Sequence, residues 1–322
     1  MTEQLADLPP VDAVVIGRNE GARLKACLGS LRGQVRRLVY VDSGSTDDSI
    51  AIAQAARAEV VLLDLEQPFT AARARNAGLA RLDGDGLVML VDGDCRVQPD
   101  WLYQAALHLT EHPGCAVVCG RRREIAPQAS VYNRLIDREW AGPAGEVKAC
   151  GGDALMRRAA LRAVGGFNPG LIAGEEPELC LRLRRAGWQI WRIDAEMTLH
   201  DAAITRLGQW WRRSRRAGHA YAEGAALHGS GPERHWVAET RRALLWGAVL
   251  PLAIVALAFV NAHALWLFLI YPLQVIRLGL RPGGGWDWAF FTVLGKFAEA
   301  QGALGYYLGR LMGRKSALIE YK

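Results

Sequence analysis

The 322-residue sequence has no CxxC pair, no Cys/His ligand set, no GxGxxG after its first apolar run and no GxxxxGK[ST] anywhere. Six cysteines (27, 95, 115, 119, 150, 180) lie far apart. Neither a zinc module nor a disulfide scaffold follows from that spacing, and the thiols read as reduced, in a cytosolic setting. Without the glycine signatures, dinucleotide and P-loop modes of binding are disfavoured. The first ten residues are acidic, carry proline and lack a basic n-region and an apolar h-region, so no secretory signal is expected and the catalytic part should stay in the cytosol. Charge is scarce, 22% against 51% hydrophobic, which excludes a disordered chain and predicts a sizeable core in about two domains. The formal charge of +6 suits nucleic acid, anionic lipid or a phosphorylated ligand. No recognition module accompanies it, so nucleic acid is not an expected partner.

Aspartate, glutamate, lysine and arginine are all missing from residues 243–276. Split at Asn261-Ala262-His263, this stretch makes two arms of roughly 18 residues, each about 25 Å as helix, close to the thickness of a bilayer core. Pro251 and Pro272 would kink buried soluble helices but are tolerated in membrane helices. Arg241 and Arg242 precede the arms and Arg277 and Arg281 follow them, so a hairpin would keep both ends in the cytoplasm. A buried helical pair in a soluble domain is the alternative. Beyond 282–285, residues 286–314 mix aromatics with Asp287, Lys296 and Glu299, which suits an interfacial or re-entrant helix. A third crossing would place Arg314 and Lys315 outside, against the charge rule.

From residue 11 to about 120, short β-branched runs alternate with helical stretches, the pattern of an α/β fold with a mainly parallel sheet. The expected strands are 11–17, 36–42, 59–63, 87–92 and 116–120, with 189–193 further on. The expected helices are 21–31, 47–58 with Ser45 or Thr46 as N-cap, and 70–81. Ligands of open α/β sheets bind beyond the carboxyl ends of the strands. Polar residues gather there: Arg18-Asn19-Glu20, Asp42-Ser43-Gly44-Ser45 and Asp92-Gly93-Asp94. Such residues also serve any strand-to-helix turn. The last group is chemically pointed, because two carboxylates flanking a glycine can hold one hard cation, Mg²⁺ or Mn²⁺, whose shell substrate phosphates complete.

VVIGRNEGARLKACLGSL, VYVDSGSTDDS, ARARNAGLARL, VMLVDGDCRVQPDWL and GEEPELCLRLRRAGWQIW resemble, in order, the motifs of family 2 glycosyltransferases with the GT-A fold, over residues 11–200. The resemblance implies nucleotide-sugar binding by Glu20, Asp42, Arg75 and Asn76. It also implies a metal held by Asp92 and Asp94, and an inverting transfer. The family's acidic pair reads Glu175-Glu176 here, with Pro177 after it. Either Glu176 is the general base, or it is the N-cap of a helix carrying Leu179, Cys180, Leu183 and Ala186 on one face and ending at Gly187. Gly152 and Asp153 fall in a small-residue stretch that, by resemblance, passes under the sugars. Asp153 either bonds sugar hydroxyls or begins the next helix. His200 is either a further metal ligand or a structural histidine.

Gln209-Trp210-Trp211-Arg212-Arg213 resembles the Gln-x-x-Arg-Trp element of membrane glycosyltransferases, with Arg213 in place of the final tryptophan. Two readings stand for this basic, aromatic stretch: docking on lipid headgroups, or closing of Gln209, Arg212 and Arg213 over the diphosphate. The expected division is 1–204 for the glycosyltransferase domain, 205–241 for basic amphipathic interfacial helices, 242–281 for a transmembrane hairpin and 282–322 for a C-terminal segment. The expected activity is metal-dependent transfer from a nucleoside-diphosphate sugar to a lipid-linked or membrane-proximal saccharide acceptor at the inner membrane, the catalytic part facing the cytoplasm. A nucleotidyltransferase and an inactive membrane scaffold are the rivals.

Overall fold

The computed structural model describes residues 8–313; residues 1–7 of the acidic N-terminal segment, and Arg314 and Lys315, lie outside the described residues. Two compact units emerge, one of residues 1–128 and 136–203, the other of residues 129–135 and 204–322.

The first unit is built on a nine-stranded sheet. Its strands are β1 (Val11–Gly17), β2 (Leu38–Asp42), β3 (Glu59–Leu62), β4 (Leu87–Asp92), β5 (Cys95–Val97), β6 (Cys115–Glu124), β7 (Gly145–Glu146), β8 (Ala154–Arg157) and β9 (Gln189–His200). The order is β3-β2-β1-β4-β8-β6-β9-β5, with β7 also paired to β9. The helices are α1 (Gly21–Leu31), α2 (Ser49–Ala55), α3 (Ala71–Leu79), α4 (Trp101–Glu111), α5 (Val131–Trp140, whose first part counts with the second unit), α6 (Arg158–Ala163) and α7 (Glu175–Arg185). Strands β1 to β4 pair in parallel. The runs 13–16 of β1, 39–41 of β2 and 87–91 of β4 are buried, as a parallel sheet covered on both faces requires, whereas β3 at the edge is largely exposed. Helix α1 turns Leu24, Cys27, Leu28 and Leu31 inward, the i, i+3, i+4, i+7 stripe that faces a core.

Register sets the functional edge. Ile16 pairs with Asp92 and Gly17 with Asp42, so the carboxyl ends of β1, β2 and β4 are level and their polar loops share one rim. β5 runs antiparallel to β9 with Cys95 opposite His200, which brings the histidine beside Asp94.

Several boundaries differ from expectation. β6 and β9 run on to Glu124 and His200, pairing with each other through register shifts at Cys119, Arg121 and Arg122. β8 enters antiparallel between β4 and β6. Helix α2 starts at Ser49 after Asp48, not at Ser45 or Thr46, because those residues bond the neighbouring loops instead. A strand, not a helix, follows Asp153. Gly174, at φ 78°, is the N-cap of α7, which leaves Glu176 inside the first turn rather than capping it. Leu179, Cys180 and Leu183 are buried, but Ala186 ends the helix exposed.

The second unit is helical: α8 (Leu207–His228), α9 (Val237–Leu244), α10 (Leu250–Ala258), α11 (Ile270–Gly279) and α12 (Trp286–Leu311). A π turn at Leu245–Val249 joins α9 to α10. It precedes Pro251, whose missing N–H breaks the regular ladder. The resulting helix, Val237–Ala258, and a second, Ala262–Gly279, have mean hydropathies of 1.6 and 1.3 and are long and apolar enough to cross a membrane. Phe259 and Val260 between them are each 89% exposed. Helix α12 is one unbroken helix of 26 residues without a reversal. It lies on α8, where Gly218 meets the backbone of Glu299 and Gly302 that of Arg215.

Candidate functional site

Asp42 closes β2 and is buried. Its Oδ1 accepts from Tyr40 (3.0 Å) and the Ser45 hydroxyl (2.5 Å), its Oδ2 from the backbone N–H groups of Gly44 (2.9 Å) and Ser45 (2.8 Å). Both oxygens accept from its own strand and loop, so Asp42 holds the rim after β2 in shape. Asn19 ties that rim to the loop after β1, its Oδ1 accepting the Thr46 N–H at 2.7 Å while its own N–H reaches Ser45 Oγ at 2.9 Å. Ser49 Oγ accepts from the N–H of Glu20 and of Gly21. The hydroxyl of Ser43, buried beside Asp42, has no hydrogen-bond partner among the described residues. It escaped the sequence reading, since a serine in a turn is unremarkable. Glu20 pairs with Arg23 at 2.8 Å.

Arg75 is the hub. Helix α3, capped by Thr70, projects it into the sheet edge, where it is almost fully buried. Its Nη1 donates to Glu175 Oε1 at 2.6 Å, its Nη2 to Asp92 Oδ1 at 2.9 Å, and its guanidinium lies over the ring of Phe167. Burial alone would favour the neutral form, but Asp92 and Glu175 outweigh it and raise the proton affinity, so the cation is firmly held. Asn76 does something else. Its amide donates to the carbonyl of Phe167 (2.7 Å) and accepts the Phe167 N–H (2.9 Å), pinning the loop after α6 with both its polar ends. Neither end is left for a diphosphate.

Around Asp92 the charges interlock. Arg122, on β6, stands 3.6 Å from Asp92 Oδ2 and 3.6 Å from Asp153 Oδ2, and stacks on Trp140 with its guanidinium 4.7 Å from the ring centre. Burial works against the Asp92 carboxylate, but Arg75 and Arg122 hold it below the usual carboxylate range. Sequence reasoning missed Arg122 because it sits in an Arg-Arg-Arg run that looks like a solvated strand end. Asp153 is fully buried. It accepts the Asp92 N–H at 3.1 Å and the Thr198 hydroxyl at 2.8 Å, so it braces the carboxylate turn instead of meeting a sugar or starting a helix. Gly152 is glycine for space: a Cβ there would stand 2.9 Å from Asp92 Oδ2.

Asp94 meets His200. Its Oδ2 lies 3.3 Å from His200 Nε2, and Asp94, Cys95 and His200 present ligand atoms within 4.8 Å of one another. His200 Nδ1 is buried without a hydrogen-bond partner among the described residues, 3.7 Å from Glu124, and Trp140 packs edge-on against the ring. A carboxylate, an imidazole with an unsatisfied nitrogen and a surplus of acidic groups (Asp92, Asp94, Asp153, Glu175 and Glu124 around two arginines) fit a divalent cation. Asp92 is turned toward the arginines, so the expected trio separates into Asp94 with His200 on one side and Asp92 on the other.

The acidic pair also divides. Glu175 faces Arg75. Glu176 is buried, and its Oε1 accepts the Cys150 N–H at 2.6 Å and the thiols of Cys150 (3.0 Å) and Cys180 (2.9 Å). Burial raises its proton affinity above the ordinary glutamate value and these hydrogen bonds only partly offset the rise. Gln209, Arg212 and Arg213 lie on α8 in the second unit. Gln209 Oε1 accepts the N–H groups of Thr205 and Arg206, capping the helix, while Arg212 is exposed.

Residues 12–165 match the family model Glycosyl transferase family 2. The pre-mycofactocin glycosyltransferase of Mycobacterium tuberculosis is 28% identical over 234 residues, 68% of this chain and 48% of the relative. The succinoglycan biosynthesis protein ExoA of Rhizobium meliloti is 26% identical over 60% of this chain and 64% of its own. The chain therefore spans about half to two thirds of these curated relatives. Among solved structures, the mannosyltransferase PcManGT of Pyrobaculum calidifontis, in complex with GDP-Man and Mn²⁺, superposes with a TM-score of 0.64 at 22% identity, covering 93% of this chain and 88% of that one. Residues 1–349 of Staphylococcus aureus TarS superpose with a TM-score of 0.53 at 17% identity, covering 95% of this chain and 92% of that fragment. With the motif order, the strand order and these matches agreeing, residues 12–165 carry a glycosyl transferase family 2 domain, and the chain folds as a GT-A-like α/β sheet followed by two apolar helices.

Proposed function

We propose that this protein is a membrane-anchored, inverting glycosyltransferase that moves a sugar from a nucleoside-diphosphate donor to a hydroxyl of a lipid-linked or membrane-proximal acceptor. The observation that carries the reading is the polar end of the sheet, where Asp92 engages the buried cations Arg75 and Arg122 and, next to it, Asp94 engages His200. Asp94 and His200 would hold Mn²⁺ or Mg²⁺, the imidazole favouring Mn²⁺. When bound, the metal would neutralise charge developing on the diphosphate. Arg75 and Arg122 can turn from their carboxylates to phosphate oxygens, a match guanidinium makes in two-pronged fashion. The nucleoside would sit over the Asn19–Ser45 latch, with Ser43 and Glu20 at its edge and Asp42 supporting the loop from within.

Of the two glutamates, Glu176 is the better general base. Its raised proton affinity brings it toward working pH, and it lies against the backbone of Cys150 and Gly151, where an acceptor would pass. Glu175 is engaged by Arg75, and its role is to position that arginine. The catalytic domain would span 1–204, the basic helices 205–241 lie at the headgroups with Gln209, Arg212 and Arg213, the hairpin 242–281 cross the inner membrane, and the segment 282–322 rest at the interface. All the chemistry would then face the cytoplasm.

The test is hydrolysis and transfer by the full chain in detergent with UDP-, GDP- and dTDP-sugars, with Mn²⁺ and with chelator. Metal-dependent turnover of one donor is expected, and Asp94→Ala should lower it by about 100-fold or more. Turnover indifferent to both chelator and Asp94→Ala removes the metal from this reading.

A further inference from the structure

The proposed reaction uses Glu176 as its base but gives no role to the two thiols that meet it. Cys150, from the loop before β8, and Cys180, from α7, bring their Sγ atoms to 3.7 Å of each other, and both lie about 3 Å from Glu176 Oε1. Glu176 and Cys180 are i and i+4 on one helix, so they share a face. All three side chains are buried, and their ligand atoms lie within 4.8 Å of one another. Among the described residues no lysine or arginine pairs with Glu176. The carboxylate is instead met by one backbone N–H and two thiols.

We propose that Cys150, Glu176 and Cys180 form a site for a thiophilic divalent cation such as Zn²⁺, separate from Asp94 and His200, whose occupation withdraws Glu176 from proton transfer. The geometry supports this: ligands about 2.3 Å from zinc at tetrahedral angles leave two sulfurs about 3.8 Å apart, and the thiols already stand at 3.7 Å. The carboxylate need only draw back by about half an ångström to make room for zinc–oxygen and zinc–sulfur bonds of ordinary length. Both thiols are protonated in the metal-free state, because burial pushes Cys180 up to about 11 and raises Cys150 well above the usual thiol value. Binding therefore releases two protons to solvent and leaves two thiolates and one carboxylate on the metal, with no change of oxidation state. Cys150 adjoins the exposed Gly151, so the ion has one residue of loop to pass. Mn²⁺ and Mg²⁺ prefer oxygen and do not compete well for sulfur. Two metals of different softness would thus act on one active site in opposite senses.

The inhibitory half of this inference rests on Glu176 as the base; the metal site itself does not. The test uses the full chain in detergent under a phosphine reductant, in a Cys95→Ser background that removes the thiol of the other cluster, titrated with Co²⁺. A thiolate-to-cobalt charge-transfer band, displaced by Zn²⁺, is expected. It should weaken in Cys180→Ser and vanish when Cys150→Ser is added. Cys180→Ser alone answers the question if the combined variant loses its thermal transition. No band in the Cys95→Ser protein, or a band unchanged by Cys180→Ser, overturns the site. A band with Mn²⁺-supported transfer unaffected by Zn²⁺ keeps the site and overturns Glu176 as the base it blocks.

Discussion

Arg75 shows how much one side chain can organise. It is buried between Asp92 and Glu175, and removing one partner of such a cluster strands the others without a counter-charge. Arg75→Met should therefore lower stability by about 3 kcal/mol or more, read as a drop in the denaturation midpoint. Adding Glu175→Gln should recover part of the loss, because one of the stranded charges is then gone. The glutamate pair makes a kinetic prediction. A general base works only when deprotonated, and burial raises the proton affinity of Glu176 above the ordinary value of 4.5. The acid limb of kcat/KM should accordingly lie above that value, with activity lost as pH falls through it. Glu176→Gln should abolish transfer while the thermal shift given by the donor persists. An active Glu176→Gln enzyme beside a dead Glu175→Gln one would reverse the assignment.

At the scale of elements, glycine decides which helices can touch. On α12, a Cβ at Gly302 would collide with the carbonyl of Arg215, whereas nothing lies within 4 Å of one at Gly305. Gly302→Ala should destabilise by about 1–3 kcal/mol through overpacking. Gly305→Ala should stabilise by up to about 1 kcal/mol through helix propensity. Paired thermal melts in one detergent compare them, and equal effects would contradict the packing of α12 on α8. The same scale explains what could be read beforehand. β1 and β4 were legible to the residue, 11–17 and 87–92, because buried parallel strands are continuous apolar runs bounded by polar turns. The far halves of β6 and β9 were not, since Arg121 to Arg123 and Asp194 to Glu196 break the apolar pattern and are held by cross-strand ion pairs that no local signal announces. Asp92, Asp94 and His200 were legible as types, but their division between two clusters depends on Arg122, whose partner lies thirty residues away in sequence. The first turn of α7 was misread because Pro177 suits N1 so well; Gly174, with its left-handed backbone, starts the helix earlier.

At the scale of the whole molecule, the helices Val237–Ala258 and Ala262–Gly279 present Leu252, Trp266 and Leu273 outward, between 61% and 68% exposed. So much apolar surface has no place in water. The full chain should remain in the membrane pellet after an alkaline wash and require detergent for extraction. Leu252→Asp with Leu273→Asp, a charge placed in each arm, should release it into the soluble fraction at a cost of about 3 kcal/mol per insertion. Recovery of the unmodified chain in the soluble fraction would remove the anchor from the proposal.

The guanidiniums of Arg75 and Arg122 already rest on carboxylates before any ligand arrives, and this makes the cleft resemble an ion exchanger. In the proposed reaction an incoming diphosphate would not have to dehydrate bare cations; it would swap with Asp92, Glu175 and Asp153 for contacts that are already dry. The swap would run both ways. Once the sugar had left, the same carboxylates would reclaim their arginines and expel the spent nucleotide. Such a cleft would give up some donor affinity and gain a fast release of product, and its turnover should be limited by something other than nucleotide departure.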